Sequence, residues 1–264
     1  MIKNNSLYAS LNLKSRFITL MVVLISSSCA TKKDVVYFQN AKDFETIVNT
    51  DTFAPRFKIN DIVSIFVSVY DKTGELTRPF NLVTQDGGEG GSAIDYLIDT
   101  DGNIDYPVLG KVKLIGLTVE EAKQLLKEKL AEGDYLKDPV ISMRIKNFRI
   151  SVIGAVNSPG VYPISGERTN ILEALAIAGD LNLKGRRDNI LVIRDFNGTK
   201  TYTRVDITNK EVFNSPVYFL TQNDVVYVEP NNSAISGAGG DSRINQIIGY
   251  SSLLVSIILL TTRL

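Results

Sequence analysis

Apolar positions change period several times along the chain, and each change marks an element. Phe57 opens the first strand signal. Asn60-Asp61 reads as a turn, and behind it Val63, Ile65 and Val67 alternate with Ile62, Ser64 and Phe66, the period of two of a half-buried strand. Residues 71–95 lose that alternation and center on Gly87-Gly88-Glu89-Gly90-Gly91, which predicts a mobile surface insertion. Tyr96, Leu97 and Ile98 resume a strand signal. Asp101-Gly102 then predicts a hairpin turn, and Gly110 and Gly116 bracket a strand over 111–115. At Thr118 the period lengthens: Val119, Ala122, Leu125, Leu126 and Leu130 share one helical face. Thr118 and Glu121 have capping-box spacing, and Gly133-Asp134 closes the helix.

Alternation returns over 140–150 and begins a second module with the same plan. A strand over 150–156 leads through Asn157-Ser158-Pro159-Gly160 to another over 161–164. Asn170 and Glu173 offer a second capping pair ahead of Ile171, Leu172, Leu175 and Ala178, with Gly179 as the stop. Strands over 189–194 and 200–206 flank Asn197-Gly198. Finally, Asn223-Asp224 and the strand behind it repeat the chemistry of Asn60-Asp61. The pattern predicts an α+β chain of two modest modules, 55–147 and 148–230.

The two ends follow different rules. Lys3, Lys14 and Arg16 precede an apolar run of nine residues, Phe17 to Ile25, too short to cross a bilayer, followed by Ser26, Ser27, Ser28 and the lone cysteine, Cys29. This order predicts a lipoprotein signal over 1–28, with Cys29 acylated through its thiolate. Ser26 stands where a lipobox usually has leucine; an ordinary signal peptide or an uncleaved anchor are the alternatives. Ala30, rather than an aspartate, after the cysteine favors the outer membrane. Residues 29–54 read as a polar tether with a few apolar residues (Val35, Val36, Tyr37, Phe38), and 231–243 as a linker rich in glycine, serine and asparagine. Residues 244–264 carry one charge, Arg263, and as a helix would span about 30 Å. On a helical wheel Asn245, Gly249, Ser252, Ser256 and Arg263 line one narrow face. A ring of copies would turn that stripe toward a wet lumen while every backbone group stays bonded within its own helix. A plain anchor or a helix packed on the soluble body are the alternatives.

Composition narrows the chemistry. The chain has no histidine and a single cysteine, which removes His/Cys metal sites, Ser-His-Asp and Cys-His triads and disulfide frameworks together. Beyond the leader and its three cations, 26 basic and 29 acidic residues remain, with no basic stripe suited to nucleic acid. No phosphate-cradling glycine loop and no cofactor motif is present.

The ordered motifs resemble the polysaccharide biosynthesis/export family, the Wza-type outer-membrane lipoproteins of capsule and exopolysaccharide secretion. The first module is similar to its polysaccharide export domain through residues 57–67, Asp101-Gly102-Asn103-Ile104, Pro107-Val108-Leu109-Gly110, and Gly116-Leu117-Thr118 with Glu121. The second resembles a β-grasp-like SLBB domain through Gly154-Ala155-Val156, Pro159-Gly160, residues 174–179 and Val192-Ile193-Arg194. The resemblance implies a homo-oligomeric ring with a periplasmic body and an α-helical barrel of C-terminal transmembrane helices in outer-membrane lipid. It further implies polysaccharide as cargo and an inner-membrane polysaccharide co-polymerase, often linked to a tyrosine kinase, as partner. The chain departs from the larger members in having one SLBB module rather than two, and Asn60 where glycine commonly precedes the aspartate.

Asp61, Gly102, Pro107, Gly110, Gly154, Pro159 and Gly160 carry the resemblance and are expected as turn and packing residues, with Gly110 and Gly160 chosen for backbone freedom. Arg194 reads either as a contact to an anionic sugar or as a solvated strand-end charge. Tyr106 and Tyr162 read as sugar-stacking rings or as core-edge tyrosines. No residue receives a catalytic role. Two rival functions share the sequence: a tethered periplasmic module that binds carbohydrate or protein without a pore, and a glycan enzyme using carboxylates such as Asp99, Asp101 and Asp105.

Overall fold

Period-two segments and two capped helices build a mixed α/β molecule, described from a computed structural model over residues 35–43, 53–70, 75–83, 94–196, 198–238, 249–252 and 256. Its apolar residues collect in two cores. In the first lobe β1 (Ile62–Ser68) lies between β2 (Asp95–Leu97) and β5 (Val140–Ile145), antiparallel to both. Val63, Ile65 and Val67 point inward, as the alternation requires, and meet the buried side of α1 (Val119–Glu132), where Ala122, Leu126 and Leu130 are fully buried. The predicted capping box forms: the Glu121 amide donates to the Thr118 hydroxyl, and the Thr118 amide donates to the Glu121 carboxylate at 2.8 Å. Such a cap stabilizes a helix by about 1 kcal/mol.

In the second lobe five strands are ordered β10-β9-β12-β6-β7. They are β6 (Arg149–Gly154), β7 (Gly160–Pro163), β9 (Gly185–Phe196), β10 (Thr199–Val205) and β12 (Val225–Pro230). The last strand, β12, inserts at the center, parallel to β6 and antiparallel to β9. The short helix α2 (Ile171–Ile177) starts at a capping box on Asn170 and Glu173 and buries Ile171, Ala174 and Leu175 against the sheet. The short strands β8 (Thr169–Asn170) and β11 (Phe219–Leu220) pair beside it.

Five expectations about the elements need correction. The alternation over 140–150 is two strands broken at 146–148: Met143 enters the first core and Phe148 the second, and the Asn147 side chain takes the bonds between. Part of the supposed surface insertion is core. Phe80, in a 3-10 turn (Arg78–Phe80), is buried, and the Asn81 side chain bonds both the amide and the carbonyl of Val67. The Asp101-Gly102 turn does not close a ladder. Ile98 is pinned to Asp61 and Asn60, which keeps β2 on β1, while β3 (Asn103–Tyr106) pairs with β4 (Gly110–Lys113) around Pro107, Val108 and Leu109. The linker begins as a helix, α3 (Asn232–Ala238). The tether docks along 37–40, through Asn40 on Asn209 and through the contacts described below.

Glycine is required at Gly154, where φ is +95° and a Cβ would run into the Val228 carbonyl oxygen. Gly110 has φ +67°, as its expected role demands. Gly160 is absent from the positive-φ set, and a Cβ there would make only ordinary contact with Tyr162, so backbone freedom is not its reason.

Candidate functional site: the joint and the two chain ends

The repeated Asn-Asp pairs form two matching turns, and the fold brings them together at the joint between the lobes. In the first, Asn60 takes φ +67°, and the Lys58 amide donates to Asp61 Oδ2 at 2.8 Å. In the second, Asn223 takes φ +63°, and the Thr221 amide donates to Asp224 Oδ2 at 2.8 Å. Asparagine suits both places because its short polar side chain tolerates the left-handed region.

Lys58 crosses the joint. Its buried ammonium donates to Thr221 Oγ1 at 2.9 Å and to the carbonyls of Gln222 and Asp195, each at 3.0 Å. All three ammonium protons are thereby used. Burial pushes its pKa down, against the pull of Asp224. Asn147 stitches the backbone of both lobes: its Oδ1 accepts from the Ile62 amide, its Nδ2 donates to the Asn60 carbonyl, and its own carbonyl accepts from Gln222 Nε2 at 2.7 Å. Gln222 Oε1 in turn accepts from the Arg149 amide. An open cleft of about 500 Å³ lies over the joint, lined in part by Lys58, Asn60, Asp195, Lys200, Gln222 and Asn223. These polar groups are engaged in holding the lobes together, which makes the joint a positioning device.

Residues 37–39, ahead of the first lobe, and Asn231, behind the second, both fasten to the second lobe. The Phe38 amide donates to the Ile207 carbonyl and that of Gln39 to Thr208, while the Phe38 ring stacks on Phe213 at 5.3 Å. The Tyr37 hydroxyl donates to the Asp180 carboxylate, and the Arg187 guanidinium lies 5.6 Å from the center of the Tyr37 ring. Burial first, and then the Asp180 hydrogen bond, push the Tyr37 phenol up to about 12. At the other end, Asn231 donates from its amide to the Lys184 carbonyl and from Nδ2 to that of Leu183.

Cys29, Asn245 and Arg263 lie outside the described residues. Gly249, Ser252 and Ser256 are helical and exposed, on one face by their spacing. The two serine hydroxyls bond back into the helix: Ser252 Oγ donates to the Gly249 carbonyl at 2.8 Å and Ser256 Oγ to that of Ser252 at 2.9 Å. Among the described residues no helix is long and apolar enough to cross a membrane. The transmembrane helix expected over 244–264 falls mostly beyond them.

Of the three residues with a sugar-contact alternative, both tyrosines take their other reading, at the edge of or within a core, and Arg194 takes neither. Arg194 is neither a free ligand group nor a solvated charge: it forks onto Asp224 at 2.8–3.1 Å and also donates to the Phe219 carbonyl. Tyr106 is buried in the first core and donates to the Phe80 carbonyl. Tyr162 is half-buried against the second core and donates to the Ser158 carbonyl. Asp99 Oδ1 accepts from the amides of Asp101 and Asn103, the work of a turn residue. Sequence reasoning missed Lys58, Asn147 and Gln222. The one available signal was the repeated Asn-Asp pair, which marks the turns but not their meeting.

The family model for polysaccharide biosynthesis/export proteins matches residues 52–146, and that for the SLBB domain matches 148–228. The chain belongs to the polysaccharide biosynthesis/export family. It is similar to the EPS I polysaccharide export outer membrane protein EpsA of Ralstonia solanacearum, 28% identical over 143 residues, 53% of this chain and 37% of the relative. The EpsA protein of Ralstonia nicotianae is 29% identical over 134 residues, 48% of this chain and 35% of the relative. The chain thus spans little more than a third of the length of these curated relatives. This family is one of export proteins and not of enzymes. Asn147 is the residue that separates the two matched segments, and it is also the residue whose side chain and carbonyl bind both lobes together.

Proposed function

We propose that this chain serves polysaccharide export at the outer membrane, as one acylated protomer of a homo-oligomeric ring whose C-terminal helices line a conduit. The succession of the two family segments over 52–228 carries the reading. The polar face of Gly249, Ser252 and Ser256 supports it, because small residues on one side of an otherwise apolar helix suit a wet lumen. In this reading the lobes are an export domain over 55–147 and a β-grasp-like SLBB domain over 148–230. Cys29 carries the lipid anchor, and residues 244–264 cross the outer membrane with Asn245 and Arg263 completing the stripe. Hydrated polysaccharide passes by weak, dispersed contacts, since tight binding would stall a moving polymer. Direction comes from synthesis or from an inner-membrane polysaccharide co-polymerase with its tyrosine kinase.

Removal of residues 244–264 tests the proposal. A conduit loses surface polysaccharide, while the truncated protein still unfolds as the full chain does. Continued export would instead favor a tethered binding module without a pore. Electron microscopy of the detergent-extracted protein is expected to show rings with a helical collar. Compact monomers would refute the ring.

A further inference from the structure

Between α2 and β9 the chain forms a loop around Asn182, Leu183 and Lys184 that is held stiffly from below. The Asn182 amide donates to the Ala155 carbonyl, and Asn182 Oδ1 accepts from the Lys184 amide at 2.9 Å. Val156 and Leu181 form an isolated bridge. On this braced support Leu183 projects outward, 79% exposed, next to the exposed Lys184. One exposed leucine is ordinary by itself; this one gains meaning from the segments fastened beside it.

The chain ends say which partner. Tyr37 is fastened to Asp180 and Arg187, on either side of this loop, and Cys29 lies only eight residues before it, a span of at most about 28 Å. Asn231 is fastened to Leu183 and Lys184 themselves, and Pro230 pairs with Gly185. The apolar segment 244–264 follows 13 residues later. The residues that adjoin both membrane-directed segments, Tyr37 and Asn231, are therefore fastened at one loop. We infer that this loop docks on the membrane surface, with Leu183 entering the acyl boundary and Lys184 at the headgroups, as an apolar residue beside a cation does at an interface. The inference rests on the anchoring proposed above and adds the part of the protein body that touches lipid.

The chain contains no tryptophan, so one introduced indole reports alone. Leu183→Trp and, on the first lobe, Val140→Trp (68% exposed in the native protein) would be extracted from membranes as the full acylated chain. Both would be reconstituted into phosphatidylcholine vesicles with and without doxyl-labeled lipid. For Leu183→Trp the expected result is blue-shifted emission that loses most of its intensity to the doxyl lipid, with Val140→Trp unaffected. Vesicle-bound protein with an unquenched Leu183→Trp, or with Val140→Trp quenched alone, overturns the inference and leaves the anchor standing. A blue shift without quenching places Leu183 in a protein interface and also overturns it. Failure to float with vesicles at all would overturn the anchor and the docking together.

Discussion

Asp61 and Asp224 close the same backbone turn, each accepting at Oδ2 from the amide three residues earlier, yet only Asp224 is met by a side-chain cation in direct contact. Arg194 reaches it from the neighboring strand, and Thr221 Oγ1 donates to its second oxygen. The corresponding oxygen of Asp61, Oδ1, is buried without a hydrogen-bond partner. One turn is electrostatically complete and the other is not. The Asn-Asp pair therefore specifies a backbone shape, while the strands around it decide whether the carboxylate is comfortable.

The largest effect that would test this contrast is at Arg194. Replacing it with methionine leaves Asp224 fully buried without its cation, and breaking such a pair costs about 3–5 kcal/mol. Chemical denaturation should show that loss. A change below about 1 kcal/mol would mean that the Thr221 donors alone suffice.

A smaller effect distinguishes the incomplete turn. Burial pushes the Asp61 carboxyl up to about 6 from an ordinary 3.8, with the Lys58 amide and ammonium opposing the rise. The folded protein thus holds this proton more tightly than the unfolded chain does. Its contribution is fully favorable below pH 3.8 and is lost as pH rises through about 6. Between pH 7.5 and 4.5 the native protein should gain about 2 kcal/mol relative to Asp61→Asn, as read from denaturation midpoints. Parallel pH profiles for the two proteins would remove the distinction between the turns.

The smallest effect concerns what the turns share. Asn60 and Asn223 both sit in the left-handed region, at φ +67° and +63°. Asn60→Gly should change stability by less than about 0.5 kcal/mol, and Asn60→Ala should cost about 1 kcal/mol because a Cβ without a compensating polar group is strained there. Equal thermal midpoints for the two variants would show that the left-handed geometry is not what selects this residue.

Locally encoded features were legible. Thr118 with Glu121 and Asn170 with Glu173 announce helix starts, because a cap needs only neighbors three residues apart. Alternation located the strands, but over 140–150 the inward positions shift from odd (Ile141, Met143) to even (Phe148, Ile150), and a one-residue change of phase does not by itself announce a change of core. Contacts between distant residues left no such trace. Lys58 reads as a strand-side cation until Thr221 and Gln222 are brought to it. Arg194 looks solvated until Asp224 arrives, and Phe80 looks like part of a loop until the first core closes over it. At the proposed lumen, spacing alone puts Gly249, Ser252 and Ser256 on one side of a helix; the described residues there are helical and exposed on every side, Tyr250 and Ser251 included, so exposure singles out no face.

The central position of β12 has a consequence for biogenesis. Until residues 225–230 emerge from whatever channel delivers the chain, β6 and β9 each present a bare edge to the surroundings. The second lobe therefore matures only after residues 225–230 have been delivered, and a chain terminated upstream of Val225 would expose two sticky strands to quality-control proteases.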